Sequence, residues 1–187
     1  FWWDNDDFSK QMQTHLEGEF RLSRTRTALR VAYDNFQNLT YLGVSYNRGD
    51  NGTITGYTAN MRQTSKNISL LTLALHQDFK LGILNWENRI TFQQSSDNDI
   101  LPVPALNIWS NLYIDFRIAR VLSVHFGADV RYFTKYNAPE YVPQLSQYAV
   151  QENSEVRTEV GNYPIIDAYC NFKLRHCRFF VMMSHVN

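Results

Sequence analysis

The chain has 187 residues, enough for one domain with a core, and its 18 Lys and Arg balance 18 Asp and Glu. Zero net charge without a basic stripe argues against a nucleic-acid binder. No stretch of about 18 apolar residues is present to make a membrane-spanning helix. A membrane β-barrel escapes that test, because its strands are short and alternate.

Period-2 alternation dominates, the pattern of strands with one apolar and one polar face. From His15 to Leu22, Leu16, Gly18, Phe20 and Leu22 oppose Glu17, Glu19 and Arg21. From Arg26 to Asp34, Thr27, Leu29, Val31 and Tyr33 oppose Arg26, Arg30 and Asp34. Leu71, Leu73, Leu75 and Phe79 oppose Thr72, His76 and Asp78; Trp86, Ile90 and Phe92 oppose Glu87, Arg89, Thr91 and Gln93, with Asn88 interrupting the apolar side. Ile108, Leu112, Ile114, Phe116 and Ile118 oppose Asn107, Asn111, Asp115 and Arg117. Leu122, Val124, Phe126, Val130 and Tyr132 oppose His125, Asp129, Arg131 and Lys135. Ile166, Ala168, Cys170, Phe172 and Leu174 oppose Asp167, Asn171 and Lys173. A last strand, Arg178 to Asn187, has an ambiguous register, because Phe179 to Met183 is apolar on both sides.

The connections sort by length. Short turns are expected at Ser23–Thr25, Lys80–Ile83, Ala119–Arg120 and Arg175–Cys177, and long loops at Asn47–Asn67, Ser96–Leu106 and Tyr136–Pro164. All five prolines fall in or beside the long loops, where no ladder donor is lost. Short turns at one end and long loops at the other are the layout of a bacterial outer-membrane barrel, periplasmic side against outside. The expected fold is therefore all-β: a section of an antiparallel transmembrane β-barrel with at least eight up-and-down strands. Its apolar face should meet lipid and its charged face a wet lumen, which should leave Leu29, Val31, Leu73, Ile114, Val124 and Phe126 exposed. The loop from Tyr136 to Pro164 should be the largest excursion, folding into or over the mouth.

The chain is expected to be a single barrel domain over residues 1–187, incomplete at both ends. Its first strand runs toward the short turns and its last runs away from them, so both ends lie at the long-loop side. Barrel termini are expected on the periplasmic side, which calls for further strands. The chain begins at Phe1 with no charged and apolar leader, so any signal peptide is expected outside this numbering. Cys170 and Cys177 are too few for a disulfide framework and are read as free thiols.

Several stretches resemble the putative porins of Bacteroidetes outer membranes. They are Trp86-Glu87-Asn88, Leu101-Pro102-Val103-Pro104, Ser110-Asn111-Leu112-Tyr113, and Gly127-Ala128-Asp129 through Tyr132-Phe133-Thr134-Lys135-Tyr136-Asn137-Ala138-Pro139. Gly161-Asn162-Tyr163-Pro164, Asn171-Phe172-Lys173-Leu174 and His185-Val186-Asn187 follow the same pattern, dense from about Ile68 onward; Trp3-Asp4-Asn5-Asp6 also fits. The resemblance implies a barrel exported to the outer membrane and names no substrate. The chain departs from a complete member at His185-Val186-Asn187, where no closing aromatic-terminated strand follows.

Glu17, Glu19, Arg21, Arg26 and Arg30, with Glu87, Arg89, Asp115, Arg117, Asp129 and Arg131, are the lumen-facing charged candidates. They make either a charged wall that biases which solutes pass or a ladder of ion pairs that stiffens it. His125 with Asp129, and His76 with Asp78, share a strand face and could in principle activate water. No serine or second carboxylate completes such a site, so no catalytic residue and no enzyme activity are expected. Asp50-Asn51-Gly52 lacks the other ligands of a calcium loop and reads as a turn, so neither metal nor cofactor is expected. Phe1-Trp2-Trp3, Tyr33, Phe79, Trp86 and Tyr132 suit interfacial girdle positions. The reading is a porin-like outer-membrane channel for passive diffusion of small polar solutes. Its expected partners are outer-membrane lipid, those solutes and other envelope proteins, not nucleic acid. The alternative is a non-conducting barrel that holds a protein partner in an envelope complex; a membrane-embedded hydrolase is a distant third.

Overall fold

The computed structural model describes residues 7–152 and 157–187, so Phe1-Trp2-Trp3 and the Trp3–Asp6 motif lie outside the described residues. The strands in chain order are β1 Met12–Leu22, β2 Thr27–Gln37, β3 Thr40–Arg48, β4 Ile54–Gln63, β5 Ile68–Leu81, β6 Leu84–Ser95 and β7 Leu106–Ile118. They continue as β8 Leu122–Phe133, β9 Tyr136–Asn137, β10 Glu140–Val142, β11 Gln147–Gln151, β12 Glu159–Val160, β13 Ile165–Leu174 and β14 Cys177–Met183. Eight of them form one sheet, in the order β1-β2-β5-β6-β7-β8-β13-β14, and every neighbouring pair is antiparallel. These are the eight strands expected from the alternation. β1 and β14 are the two edges, and no ladder joins them among the described residues.

Cross-strand register fixes two faces, because directly paired residues point the same way. The row Val31, Leu73, Phe92 and Leu106 runs across one face. The row Arg21, Ala28, His76, Arg89, Trp109 and Arg131 runs across the other. Within the eight strands the first face carries no Asp, Glu, Lys or Arg. The pairing also settles the last strand: Phe179 and Val181 join the apolar face, opposite Phe172 and Cys170, while Phe180 opposes Asn171 on the polar one.

Among the described residues no second layer packs on the apolar face. Leu29, Val31, Leu73 and Phe126 are exposed, as expected, and Ile114 is half-buried. Val124 departs from the expectation at 6% exposure. Its direct partners on both sides are Phe116 and Phe172, rings large enough to cover a valine. Polar atoms on this face satisfy one another. Trp86 Nε1 donates to Ser110 Oγ at 2.9 Å, and Ser110 donates to Asn88 Oδ1 at 2.8 Å. That is the arrangement a surface without water requires.

The short connections are as expected, whereas the long loops are not featureless. The first begins earlier than the expected Asn47, directly after β2 ends at Gln37, because Thr40–Arg48 pairs with β4 as a hairpin; its Asp50-Asn51-Gly52 tip is a turn with Gly52 at φ 74. The last long loop contributes β10 and β11. The parallel pairing of Val150 and Gln151 with Gly43 and Val44 joins the two loops into a four-stranded sheet, β10-β11-β3-β4. Its shared side buries Val44, Ala59, Val142 and Ala149, with Leu42 and Leu145 packed against them.

Candidate functional site: the polar face and its two ends

The polar face carries its charge mainly as local pairs. Glu17 Oε2 accepts from Arg30 Nη2 at 2.6 Å across the β1–β2 ladder, and His15 Nδ1 lies 2.6 Å from Asp34 Oδ1. Arg21 pairs with Glu19 two residues away on the same strand. Arg131 Nη2 stands 3.3 Å from Asp129 and 3.4 Å from Asp167, two carboxylates placed directly opposite each other. One guanidinium between two carboxylates offsets the repulsion that a like-charged cross-strand pair brings. Glu87 accepts from the Tyr113 hydroxyl at 2.8 Å, and Arg89 lies over the Trp109 ring at 4.9 Å.

Of the eleven charged residues singled out from the sequence, ten stand in strands on this face. Arg26 is the exception. It sits in the turn before β2 with φ 53, not in the strand, because the chain must reverse there. Of the two histidine–aspartate combinations, the structure brings together only His76 and Asp78, at 3.0 Å. His125 instead lies between Tyr113 and Tyr169, tilted against the first and edge-on to the second, with ring centroids 4.3 and 5.6 Å away. Those rings flank Gly127, where an added Cβ would lie 2.5 Å from Tyr113 Cβ and 2.7 Å from the Leu112 carbonyl oxygen. No cluster able to hold a metal occurs among the described residues, and both cysteines are free thiols.

The two ends of the sheet differ. At the short-turn end, the apolar face bears an aromatic two positions inside the strand terminus on most strands: Phe20, Phe79, Trp86, Phe116, Phe172 and Phe179. Phe79 and Trp86 are cross-strand partners with ring centroids 5.4 Å apart. Tyr33 and Tyr132 lie toward the opposite end of the same face. Two aromatic bands with an aliphatic zone between them match the interfacial girdles of a membrane barrel. Sequence reading caught Phe79 and Trp86; the fixed offset from each strand end became visible only with the register.

At the other end the long loops are tied to one another by charge. Lys66 reaches Asp97 at 2.8 Å, Arg62 reaches Glu152 at 2.6 Å and Arg157 reaches Asp99 at 2.5 Å, so that all three loops are linked. The hydrogen bond from Lys66 holds the Asp97 carboxyl below the ordinary range of an aspartate. Tyr46 donates its hydroxyl proton to Glu140, and burial first, then that carboxylate, pushes its phenol up to about 12.

An open antiparallel sheet with an uncharged exposed face, two aromatic bands and short turns opposite long loops is a wall section of an outer-membrane β-barrel. The whole chain, residues 1–187, matches the family described as putative porin, and it belongs to that family. No curated protein sequence matches it significantly. Among solved structures it is similar to the siderophore receptor PirA from Acinetobacter baumannii, with a TM-score of 0.49 and 15% identity. The match covers 94% of this chain and 27% of the receptor chain, so the chain spans about a quarter of that protein's length.

Proposed function

We propose that the protein is a porin-like channel of the bacterial outer membrane, passing small polar solutes by passive diffusion and catalysing no reaction. The observation that carries this reading is the complete segregation of charge within the eight-stranded sheet to one face, beside an apolar face whose large side chains stand exposed. Lipid is the medium that rewards such exposure, and water in a lumen is the medium that tolerates the charges. The edges β1 and β14 carry backbone groups that hydrocarbon does not tolerate unpaired, so further strands close the working barrel. Single-channel recording of the folded full-length protein in planar bilayers tests the reading. Discrete, ohmic current steps are expected, and their absence would sink it.

A second reading has one observation in its favour. The loop sheet has its own buried cluster and presents Tyr141 and Tyr148, 50% and 70% exposed, as a ring pair 5.4 Å between centroids. Exposed tyrosine pairs on a rigid base suit protein docking. On this reading the barrel holds a partner in an envelope complex and does not conduct. Co-purification of a stoichiometric partner from native membranes, lost on Tyr141→Ser with Tyr148→Ser, together with silence in bilayers, would favour it over the channel.

A further inference from the structure

The short turns and the strand residues beside them, 21–28, 80–85, 117–123 and 173–178, contain half of the chain's 18 Lys and Arg and none of its Asp or Glu. Within this band Arg21, Lys80, Arg117, Lys173 and Arg178 share one position. Each is the second residue from its strand's short-turn end, and each points to the polar face. The three remaining strands place uncharged Ala28, Asn85 and Ser123 there. Closed into a barrel, this position is a ring around one mouth of the pore.

Two features mark the ring as built for a ligand. First, the ladder row Arg117, Ser123, Lys173 and Arg178 sets Lys173 directly opposite Arg178 with no acid in the row. Like charges so placed are destabilising without an anion between them. A cavity of about 550 Å³ adjoins Arg21 and Arg30, and one of about 500 Å³ is lined by Arg117, Lys173 and Arg178 with Ser123, His125 and Asn171, all able to donate hydrogen bonds. Acids line both cavities, Glu19 and Asp78 the first and Asp115 the second; Glu19 and Asp78 are paired with Arg21 and His76, and Glu87, one step further in on its strand, accepts from Tyr113. Second, three of the four short turns hold an arginine in the left-handed region: Arg26 at φ 53, Arg120 at φ 60 and Arg175 at φ 48. Glycine or asparagine would sit there with less strain. Strain retained at such sites points to a use for the side chain.

We propose that this end of the pore is an anion-recruiting mouth, selecting small soluble carboxylates and phosphates over cations. The proposal rests on the channel reading above and names its solute class. The ring lies on the polar face, turned away from the apolar face, so its anions are solutes rather than lipid headgroups. Field focusing in a low-dielectric mouth raises the local concentration of the opposite charge. The effect fades once the Debye length shrinks from about 10 Å at 0.1 M salt to about 3 Å at 1 M.

The test is the reversal potential of the full-length protein under a KCl gradient, in bilayers of phosphatidylcholine alone. Chloride should be preferred over potassium by roughly threefold or more at low salt, and the preference should fall at high salt. The variant Arg117→Gln/Lys173→Gln/Arg178→Gln should bring the ratio to about one or below, while Arg62→Gln at the loop end leaves it unchanged. Should the triple variant fail to fold, Arg120→Gly/Arg175→Gly should lower the ratio from the turns. Conducting protein that prefers potassium, or a variant that keeps the parent ratio, would overturn the anion mouth and leave the channel standing. Absence of current steps would overturn the channel itself. A preference present in phosphatidylcholine but abolished by adding phosphatidylglycerol would reassign the cations to lipid phosphate.

Discussion

In the eight-stranded wall Leu29, Val31, Leu73 and Phe126 are exposed, and the strands touch one another only edge to edge. In the four-stranded loop sheet Val44, Ala59, Val142 and Ala149 are almost wholly buried against one another. The same chain thus contains one sheet whose apolar side faces outward and one whose apolar side makes a core. The wall draws its stability from lipid and from its ladders, so its apolar residues need no partner beyond the membrane. The loop sheet stands in water, where hydrophobic burial has to come from the protein itself. The surrounding medium decides which side is covered.

The sharpest way to break this contrast is to place a charge on each face of one wall strand. Leu73 lies between Val31 and Phe92 in the middle of the apolar face. Leu73→Arg should cost roughly 2–4 kcal/mol in a lipid bilayer, while Thr72→Arg, one residue away on the polar face, should cost less than about 1 kcal/mol. Equilibrium unfolding of the reconstituted protein checks both. Equal costs would mean that the apolar face does not meet lipid.

Gly127 is a tightly filled place on the polar face of the wall, and it tests whether that face is packed or simply wet. Gly127→Ala would drive a methyl into the Tyr113 side chain and the Leu112 carbonyl. The cost should be about 2 kcal/mol, as for other overpacked sites, and the fluorescence of the neighbouring tyrosines should change. A neutral outcome would show that the aromatic shelf formed by Tyr113, His125 and Tyr169 yields easily.

What could be read from sequence follows the same division. The wall was legible because each strand alternates over many residues with all its charge on one side, and because Arg-rich and glycine turns separate the strands. The loop sheet was not. Thr40–Arg48 and Ile54–Gln63 supply only Leu42, Val44 and Ala59 to the cluster, too few for an apolar stripe to stand out. The Asp50-Asn51-Gly52 turn was recognisable, and a turn flanked by alternating residues is a hairpin signal. The parallel contact of β11 with β3 joins residues about a hundred positions apart through two residue pairs, which no local pattern announces. On the polar face the residue types were legible, but their partners needed the register, and Lys80, Lys173 and Arg178 at the strand ends were not singled out as candidates. Arg26 shows the limit, since period-2 counting carried it into a strand where the chain is already turning.

On the loop side, Val44→Ala should destabilise the four-stranded sheet by roughly 1.5–2 kcal/mol, the loss expected for methyl groups removed from a fully buried valine. The effect should be local. Hydrogen exchange in β3, β4 and β11 should accelerate while the wall ladders keep their protection. Equal acceleration in both sheets would show that they unfold as one unit, which would dissolve the distinction between them.

The smallest expected effect concerns the ion pairs that hold the loops together, and it depends on pH. Lys66 keeps the Asp97 carboxyl in its charged form to a lower pH than in the unfolded chain, where the ordinary value is 3.8. A lowered folded-state pKa means that the unfolded state binds the proton more readily. The pair therefore contributes stability fully above that ordinary value, and the contribution is lost as the pH falls through the folded-state value. Asp97→Asn should consequently weaken the tie between the first two long loops at neutral pH and make no difference in strong acid. The readout is proteolytic nicking of residues 64–67 and 96–105 at neutral pH, and hydrogen exchange of the same segments at acid pH. The neutral-pH difference should shrink with added salt, because the Lys66 side chain is largely exposed. A difference between parent and variant that persists below the folded-state pKa would show that the Asp97 side chain acts through the hydrogen bond it accepts from the Asp99 backbone N–H rather than through its charge.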